Sequence, residues 1–273
     1  NDLIDAGQGN DTVDGGAGND LIRVSLSDTT SVDAGAGTDR VADTTGTITT
    51  TTQAGISAAT ILVDESSAPT LTGVESLWVV VDADAGAAAA TQVNLDLSSA
   101  GDLTTLYLDT DDGSQDSYMK VTNFAGSSVT LFGGTTGASG DEAENIAFDG
   151  VGQNVTLNLQ DFVQTSDGAL TVTGVDGLTI AGDSTSQVTG NADEDNALGV
   201  VTANSANTIS VSSNGSAATN TGALTIASIS ATAAESATVT VGALDDVEIS
   251  ASLTTGADVE TATVTLGDDS QLT

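Results

Sequence analysis

The stretch that decides the fold is NDLIDAGQGNDTVDGGAGNDLIRV, residues 1–24. Asp2, Asp11 and Asp20 lie nine residues apart in it, and a branched apolar residue stands two places after each of them. Five glycines, Gly7, Gly9, Gly15, Gly16 and Gly18, lie between them. Two nine-residue units complete one coil, so the chain returns to the same edge one strand spacing of roughly 4.8 Å along the axis. The spacing therefore predicts a roll of stacked turns and short strands.

Each part of the repeat has a physical reason. Glycines accept backbone angles that other residues avoid, so that tight turns can direct carbonyl oxygens at a common centre. The aspartate adds a hard, charged oxygen, and Ca²⁺ prefers six to eight oxygen ligands. The three residues after it predict a short strand with its branched side chain facing inward. The complete copies of the unit begin at Ala6, Gly15 and Ala34.

The repeat resembles the calcium-binding nonapeptide of RTX proteins, G-G-x-G-x-D-x-U-x. The resemblance covers about residues 1–43, and the chain begins inside a unit, so we expect it to be part of a longer protein. A single copy could equally be an ordinary hairpin turn, but three copies in one frame favour calcium. The expected ligands are the carboxylates of Asp2, Asp11, Asp20 and Asp39 and the carbonyls of Gly7, Gly9, Gly16, Gly18, Gly35 and Gly37. Asp2, Asp20 and Asp39 should share one edge, with Asp11 on the other.

Composition points the same way. The chain has 39 acidic and 3 basic residues, a formal net charge of -36, and neither Cys nor His. Such a chain repels itself unless cations neutralise it. Three basic side chains cannot form a patch for nucleic acid, and an anionic membrane would repel the protein. Without Cys and His, disulfides, HExxH zinc sites and His-based triads are excluded, and no apolar run is long enough for membrane insertion.

After Asp43 the nine-residue spacing ends, but short strand patterns continue. Apolar residues alternate with Thr, Ser or Asn in segments such as 92–97, 103–108 and 154–159, separated by Gly, Asn, Asp and Ser. This pattern predicts an all-β chain, and its small, stackable side chains favour a right-handed parallel β-solenoid. A β-sandwich for part of 47–273 is the alternative. We expect two regions, a calcium-binding β-roll at 1–45 and an Ala/Thr/Gly-rich solenoid assembly region at 46–273.

The segment Leu71–Val79, LTGVESLWV, is similar to segments of RTX-containing surface-layer proteins of Gram-negative bacteria, of the Caulobacter type. Looser echoes lie at 142–146, 234–237 and 258–262. The resemblance implies calcium binding, type I secretion, an extracellular location at the bacterial cell surface and self-association into a lattice, with a cell-surface polysaccharide as a candidate anchor. Glu75 is either a solvated carboxylate at a strand edge or has a structural or calcium-binding role.

Acidic clusters outside the repeat are further candidates for calcium. The best is the loop that contains Asp109, Asp111 and Asp112, although it departs from the EF-hand pattern. Similar clusters lie at 82–84, 193–195, 245–246 and 268–269. Runs of this kind are more often solvated loops, so both interpretations stay open.

The sequence favours a structural role over catalysis. Neither HExxH nor GxSxG occurs, and Trp78 is the single tryptophan available for a sugar-binding platform. We therefore expect a non-enzymatic, calcium-dependent protein of a bacterial surface layer or extracellular assembly, which folds and self-associates on binding Ca²⁺ after secretion. The alternative is a calcium-stiffened segment of a large RTX adhesin.

Overall fold

The computed structural model describes residues 1–7, 9–24, 31–43, 50–53, 56–59, 70–80, 92–109, 118–132, 145–160, 162, 164, 168–183, 196–213, 224–241, 247–255 and 261–265. All regular secondary structure in these residues is β-strand. None of the described residues forms a helix long and apolar enough to cross a membrane.

The strands, in chain order, are β1 (Leu3–Gly7), β2 (Thr12–Asp14), β3 (Leu21–Val24), β4 (Ser31–Asp33), β5 (Arg40–Asp43), β6 (Thr50–Gln53), β7 (Ile56–Ala59), β8 (Thr70–Thr72), β9 (Ser76–Val80), β10 (Gln92–Asp96), β11 (Thr105–Asp109), β12 (Tyr118–Phe124), β13 (Ser128–Phe132), β14 (Asn145–Gly150), β15 (Asn154–Gln160), β16 (Ala169–Thr173), β17 (Gly177–Asp183), β18 (Asn196–Thr202), β19 (Thr208–Ser213), β20 (Leu224–Ala231), β21 (Ser236–Val241), β22 (Val247–Thr255) and β23 (Thr261–Thr265).

Strands from successive coils stack into three parallel sheets. The 11-stranded sheet has the order β1-β3-β5-β9-β11-β13-β15-β17-β19-β21-β23, and the 7-stranded sheet has the order β10-β12-β14-β16-β18-β20-β22. A 3-stranded sheet, β2-β4-β8, is part of the first coils. Only the hairpin β6–β7 is antiparallel among the described strands. The predicted all-β parallel solenoid is confirmed, whereas a sandwich would need antiparallel sheets.

The core consists of apolar ladders that run along the axis. Leu77, Leu106, Val129, Leu157 and Ile180 occupy matching register positions in neighbouring strands of the 11-stranded sheet, and all five are buried. Neighbouring rungs carry similar side chains, so each coil can bury its inward face against the next one. This stacking fixes which residues meet at the corners between sheets.

The 11-stranded sheet continues across the predicted boundary between 1–45 and 46–273. Here β5 pairs directly with β9, with Arg40 opposite Ser76 and Val41 opposite Leu77. The division into two regions therefore stays a prediction about sequence character and function, since one sheet contains strands from both.

Candidate metal centre

Three glycine-rich turns connect the first strands. One links β1 to β2, the second links β2 to β3 at 15–20, and the third links β4 to β5 at 34–39. The second and third turns stack on each other through backbone hydrogen bonds. Ala36 N–H donates to the Gly16 carbonyl at 2.9 Å, and Gly18 N–H donates to the Ala36 carbonyl at 2.8 Å. The two turns thus form one layered corner.

The glycines of these turns have the backbone conformation that the repeat requires. All six glycines predicted as carbonyl ligands have positive φ, from 78° at Gly7 to 159° at Gly37. Gly35, at 93°, also lies so close to the turn below that an added Cβ would overlap the Gly16 carbonyl oxygen. The close stacking therefore depends on a residue without a side chain.

A row of carboxylates runs along the same corner. Asp20 Oδ1 accepts a hydrogen bond from Asp2 N–H at 2.6 Å, and Asp39 Oδ1 accepts one from Asp20 N–H at 2.7 Å. Glu75 Oε2 accepts one from Asp39 N–H, again at 2.7 Å. We call Asp2, Asp20, Asp39 and Glu75 the carboxylate column. The structure places Asp2, Asp20 and Asp39 on one edge, as their spacing predicts.

Asp11 lies at the opposite edge, where its carbonyl accepts a hydrogen bond from Ser31 N–H at 3.0 Å. Its Oδ2 is buried and accepts no hydrogen bond from the described residues. The structure thus places Asp11 apart from the carboxylate column, in agreement with the expectation from the sequence.

The column contains buried carboxylate oxygens without partners. Asp20 is 2% exposed and Asp39 is fully buried, and the Oδ2 atom of each accepts no hydrogen bond from the described part of the chain. A buried, incompletely paired carboxylate costs several kcal/mol unless a cation or donor offsets it. A hard cation that takes oxygen ligands fits this donor set.

The side chains alone do not complete a metal site. Among the described residues, no three or more His, Cys, Asp or Glu side chains converge as a cluster that could hold a metal. A calcium ion at this corner would therefore need backbone carbonyls from the glycine turns in addition to the carboxylates of Asp20 and Asp39. Ca²⁺ accepts such mixed oxygen coordination. It would add positive charge beside the two Oδ2 atoms, whereas Asp20 Oδ1 already lies 3.4 Å from the amino group of Asn1.

A second column stabilises the outside of the corner. Asn1 Oδ1 accepts a hydrogen bond from Asn19 N–H at 2.6 Å, and Asn19 Oδ1 accepts one from Thr38 N–H at 3.2 Å. These amides precede the aspartates of the carboxylate column by one residue. They hold successive turns in register, which keeps the carboxylates aligned.

The corners of later coils are apolar instead. Val74, Leu103 and Val175 precede a polar residue and a strand of the 11-stranded sheet, and each is buried. At the equivalent corner of the glycine turns, Asp20 and Asp39 are the buried residues, whereas Asn19 and Thr38 are exposed. The carboxylate thus occupies interior space that an apolar side chain fills elsewhere.

The remaining predicted ligands are not brought to this corner. Asp109 is the last residue of β11, two coils beyond the third glycine turn. Asp111 and Asp112 lie outside the described residues, as do the acidic clusters at 82–84, 193–195, 245–246 and 268–269. Calcium binding at these places stays a prediction.

Residues 1–23 match the sequence profile of the RTX calcium-binding nonapeptide repeat, which comprises four copies. The match supports calcium binding by this chain and covers only the first coil and the start of the second. Neither the curated proteins nor the solved structures contain a match to the chain.

Proposed function

We propose that the protein is a calcium-dependent structural component of a bacterial surface layer or similar extracellular assembly. One observation carries the proposal: stacked glycine turns hold the buried Asp20 and Asp39 carboxylates, each with an oxygen that accepts no hydrogen bond from the described residues. The match of residues 1–23 to a calcium-binding repeat supports the choice of ion. We assign the solenoid a structural role and no reaction.

The residues proposed to hold calcium are those of the stacked corner. Asp20 and Asp39 would supply carboxylate oxygens, and Gly16, Gly18 and Gly35 lie in the turns that would supply carbonyls. Bound Ca²⁺ supplies positive charge to a chain with a formal net charge of -36. Because the corner forms only when the turns stack, binding free energy becomes folding free energy.

This coupling suits a secreted protein. At low calcium, repulsion between carboxylates opposes stacking of the first coils, which favours an export-competent chain. At millimolar calcium outside the cell, the corner would close and the solenoid would become rigid. RTX repeats are typical of secreted proteins, and an extracellular location at the bacterial surface is part of the proposal.

Self-association is the second part of the proposal. The solenoid is acidic and regular, so ions bound between acidic loops of neighbouring molecules could join them into a lattice or filament. An anchor to a cell-surface polysaccharide would need a surface other than Trp78. That side chain is 4% exposed and stacks on Tyr107, with ring centroids 5.4 Å apart.

A calcium titration of the EGTA-treated protein tests both parts. We expect far-UV circular dichroism to report a gain of β-structure at millimolar Ca²⁺, with light scattering and negative-stain images showing ordered arrays that EGTA dissolves. Mg²⁺ at the same concentration serves as the control for ionic strength and divalent charge. Folding without self-association would favour an adhesin segment, and an unchanged monomer at saturating calcium would contradict the proposal.

A further inference from the structure

We propose that Glu75 is a calcium ligand and that a metal ion binds between the third glycine turn and the fourth coil. The inference rests on the proposed calcium binding and extends it beyond the nine-residue repeats. Neither the repeat pattern, which ends near Asp43, nor the family match over residues 1–23 includes this residue.

Glu75 repeats the hydrogen bond of the aspartates, although it is only half-buried whereas Asp20 and Asp39 are buried. Asp20, Asp39 and Glu75 each accept the backbone N–H of the preceding member of the carboxylate column, at distances of 2.6 to 2.7 Å. Glu75 also precedes β9, as Asp20 precedes β3 and Asp39 precedes β5. The longer interval from Asp39, 36 positions, does not alter its place in the stack.

The backbone around Glu75 is adapted to this position. Gly73 has a φ of 62° and lies on the third glycine turn, where an added Cβ would be 2.6 Å from the Gly35 carbonyl oxygen. Val74 is 1% exposed and fills the corner. The turn that connects β8 to β9 is therefore short, and the Val74 side chain fills its interior. Glu75 supplies the carboxylate of this coil.

Asp39, the neighbour of Glu75 in the carboxylate column, has a buried oxygen that could bind a ligand. Asp39 is fully buried, and its Oδ2 accepts no hydrogen bond from the described residues. Its N–H donates a hydrogen bond to Glu75 Oε2, and its Oδ1 accepts one from Asp20 N–H. Asp39 Oδ2 is thus left with no hydrogen bond from the described residues, one coil away from the Glu75 carboxylate. We place the calcium ion beside these two carboxylates, with carbonyls of the third glycine turn as its other ligands.

The number of calcium ions bound by the Glu75→Gln variant tests the inference, with Glu235→Gln as the matched control. The glutamine amide oxygen can still accept from Asp39 N–H, so the substitution removes one charge and keeps the hydrogen bond. Glu235 also precedes a strand of the 11-stranded sheet, but its corner contains the buried Ala234 instead of a glycine turn. Native mass spectrometry of the full chain should show one fewer tightly bound Ca²⁺ for Glu75→Gln and no change for Glu235→Gln.

Terbium luminescence gives a second readout at this site. Trp78 is the single tryptophan of the chain and lies three residues after Glu75, or about 10 Å along the strand. Tb³⁺ bound at Glu75 should show tryptophan-sensitised emission, which Glu75→Gln should reduce at least fivefold. Unchanged ion count and emission in Glu75→Gln, with calcium bound by the native chain, would overturn this inference alone. If the native chain bound no calcium, both proposals would fail.

Discussion

Asp39→Asn is expected to stabilise the calcium-free protein and to reduce the stabilisation that calcium adds. Without calcium, the fully buried carboxylate has one oxygen that accepts no hydrogen bond from the described residues. Asparagine removes that charge and keeps an acceptor for Asp20 N–H, so the free energy of unfolding should rise by about 1–3 kcal/mol. The loss of a charged ligand should weaken calcium binding at least tenfold, which reduces the stabilisation that calcium adds by about 1.4 kcal/mol or more.

Urea unfolding in EGTA and in millimolar calcium, followed by circular dichroism, measures both effects. Asp33→Asn is the matched control, because Asp33 carries the same charge at the end of β4 but is exposed. Its substitution should change stability by less than about 0.5 kcal/mol under either condition. Destabilisation of Asp39→Asn in EGTA would show that the carboxylate is satisfied without a metal.

Gly35→Ala is expected to destabilise the stacked corner by about 2–5 kcal/mol, since two penalties combine. The φ of 93° disfavours any residue with a Cβ by about 1–2 kcal/mol. In addition, the methyl group would overlap the Gly16 carbonyl oxygen. Because that oxygen belongs to the backbone, the overlap can be relieved only if the two turns separate. Such overpacking costs about 1–3 kcal/mol.

Gly16→Ala separates the two penalties. Gly16 has a similar φ of 85°, but an added Cβ there would meet nothing within 4 Å. Its substitution should therefore cost only the conformational part, about 1–2 kcal/mol. The urea unfolding midpoints of both variants, measured in EGTA and in millimolar calcium, provide the comparison. Equal losses for Gly16→Ala and Gly35→Ala would mean that the turns are not packed against each other as described.

The sequence predicts the glycine turns well because the residues of each repeat determine the backbone conformation of their own turn. Glycine marks the positive-φ positions, and the interval of 18 or 19 residues sets which aspartates meet. The parallel solenoid could also be predicted, since alternating small apolar and Thr or Ser residues suit stacked coils. Both features are local or strictly periodic.

The role of Glu75 in the column could not be predicted from spacing. The interval of 36 positions from Asp39 to Glu75 includes the antiparallel pair β6–β7, which removes the periodic signal. Pairing of β5 with β9, a long-range contact, restores the register. The segment Val74-Glu75-Ser76 indicates only the start of a strand, since Ala234-Glu235-Ser236 has the same pattern at the start of β21.

Hydrogen exchange with and without calcium, read by mass spectrometry, tests the central claim most directly. The account predicts that saturating Ca²⁺ slows exchange at least tenfold in residues 9–24 and 31–43, where amide groups hold the stacked corner. Residues 145–160, in the apolar coils, should change far less. Equal exchange in both regions with and without calcium would contradict a calcium-dependent corner, and with it the proposed function.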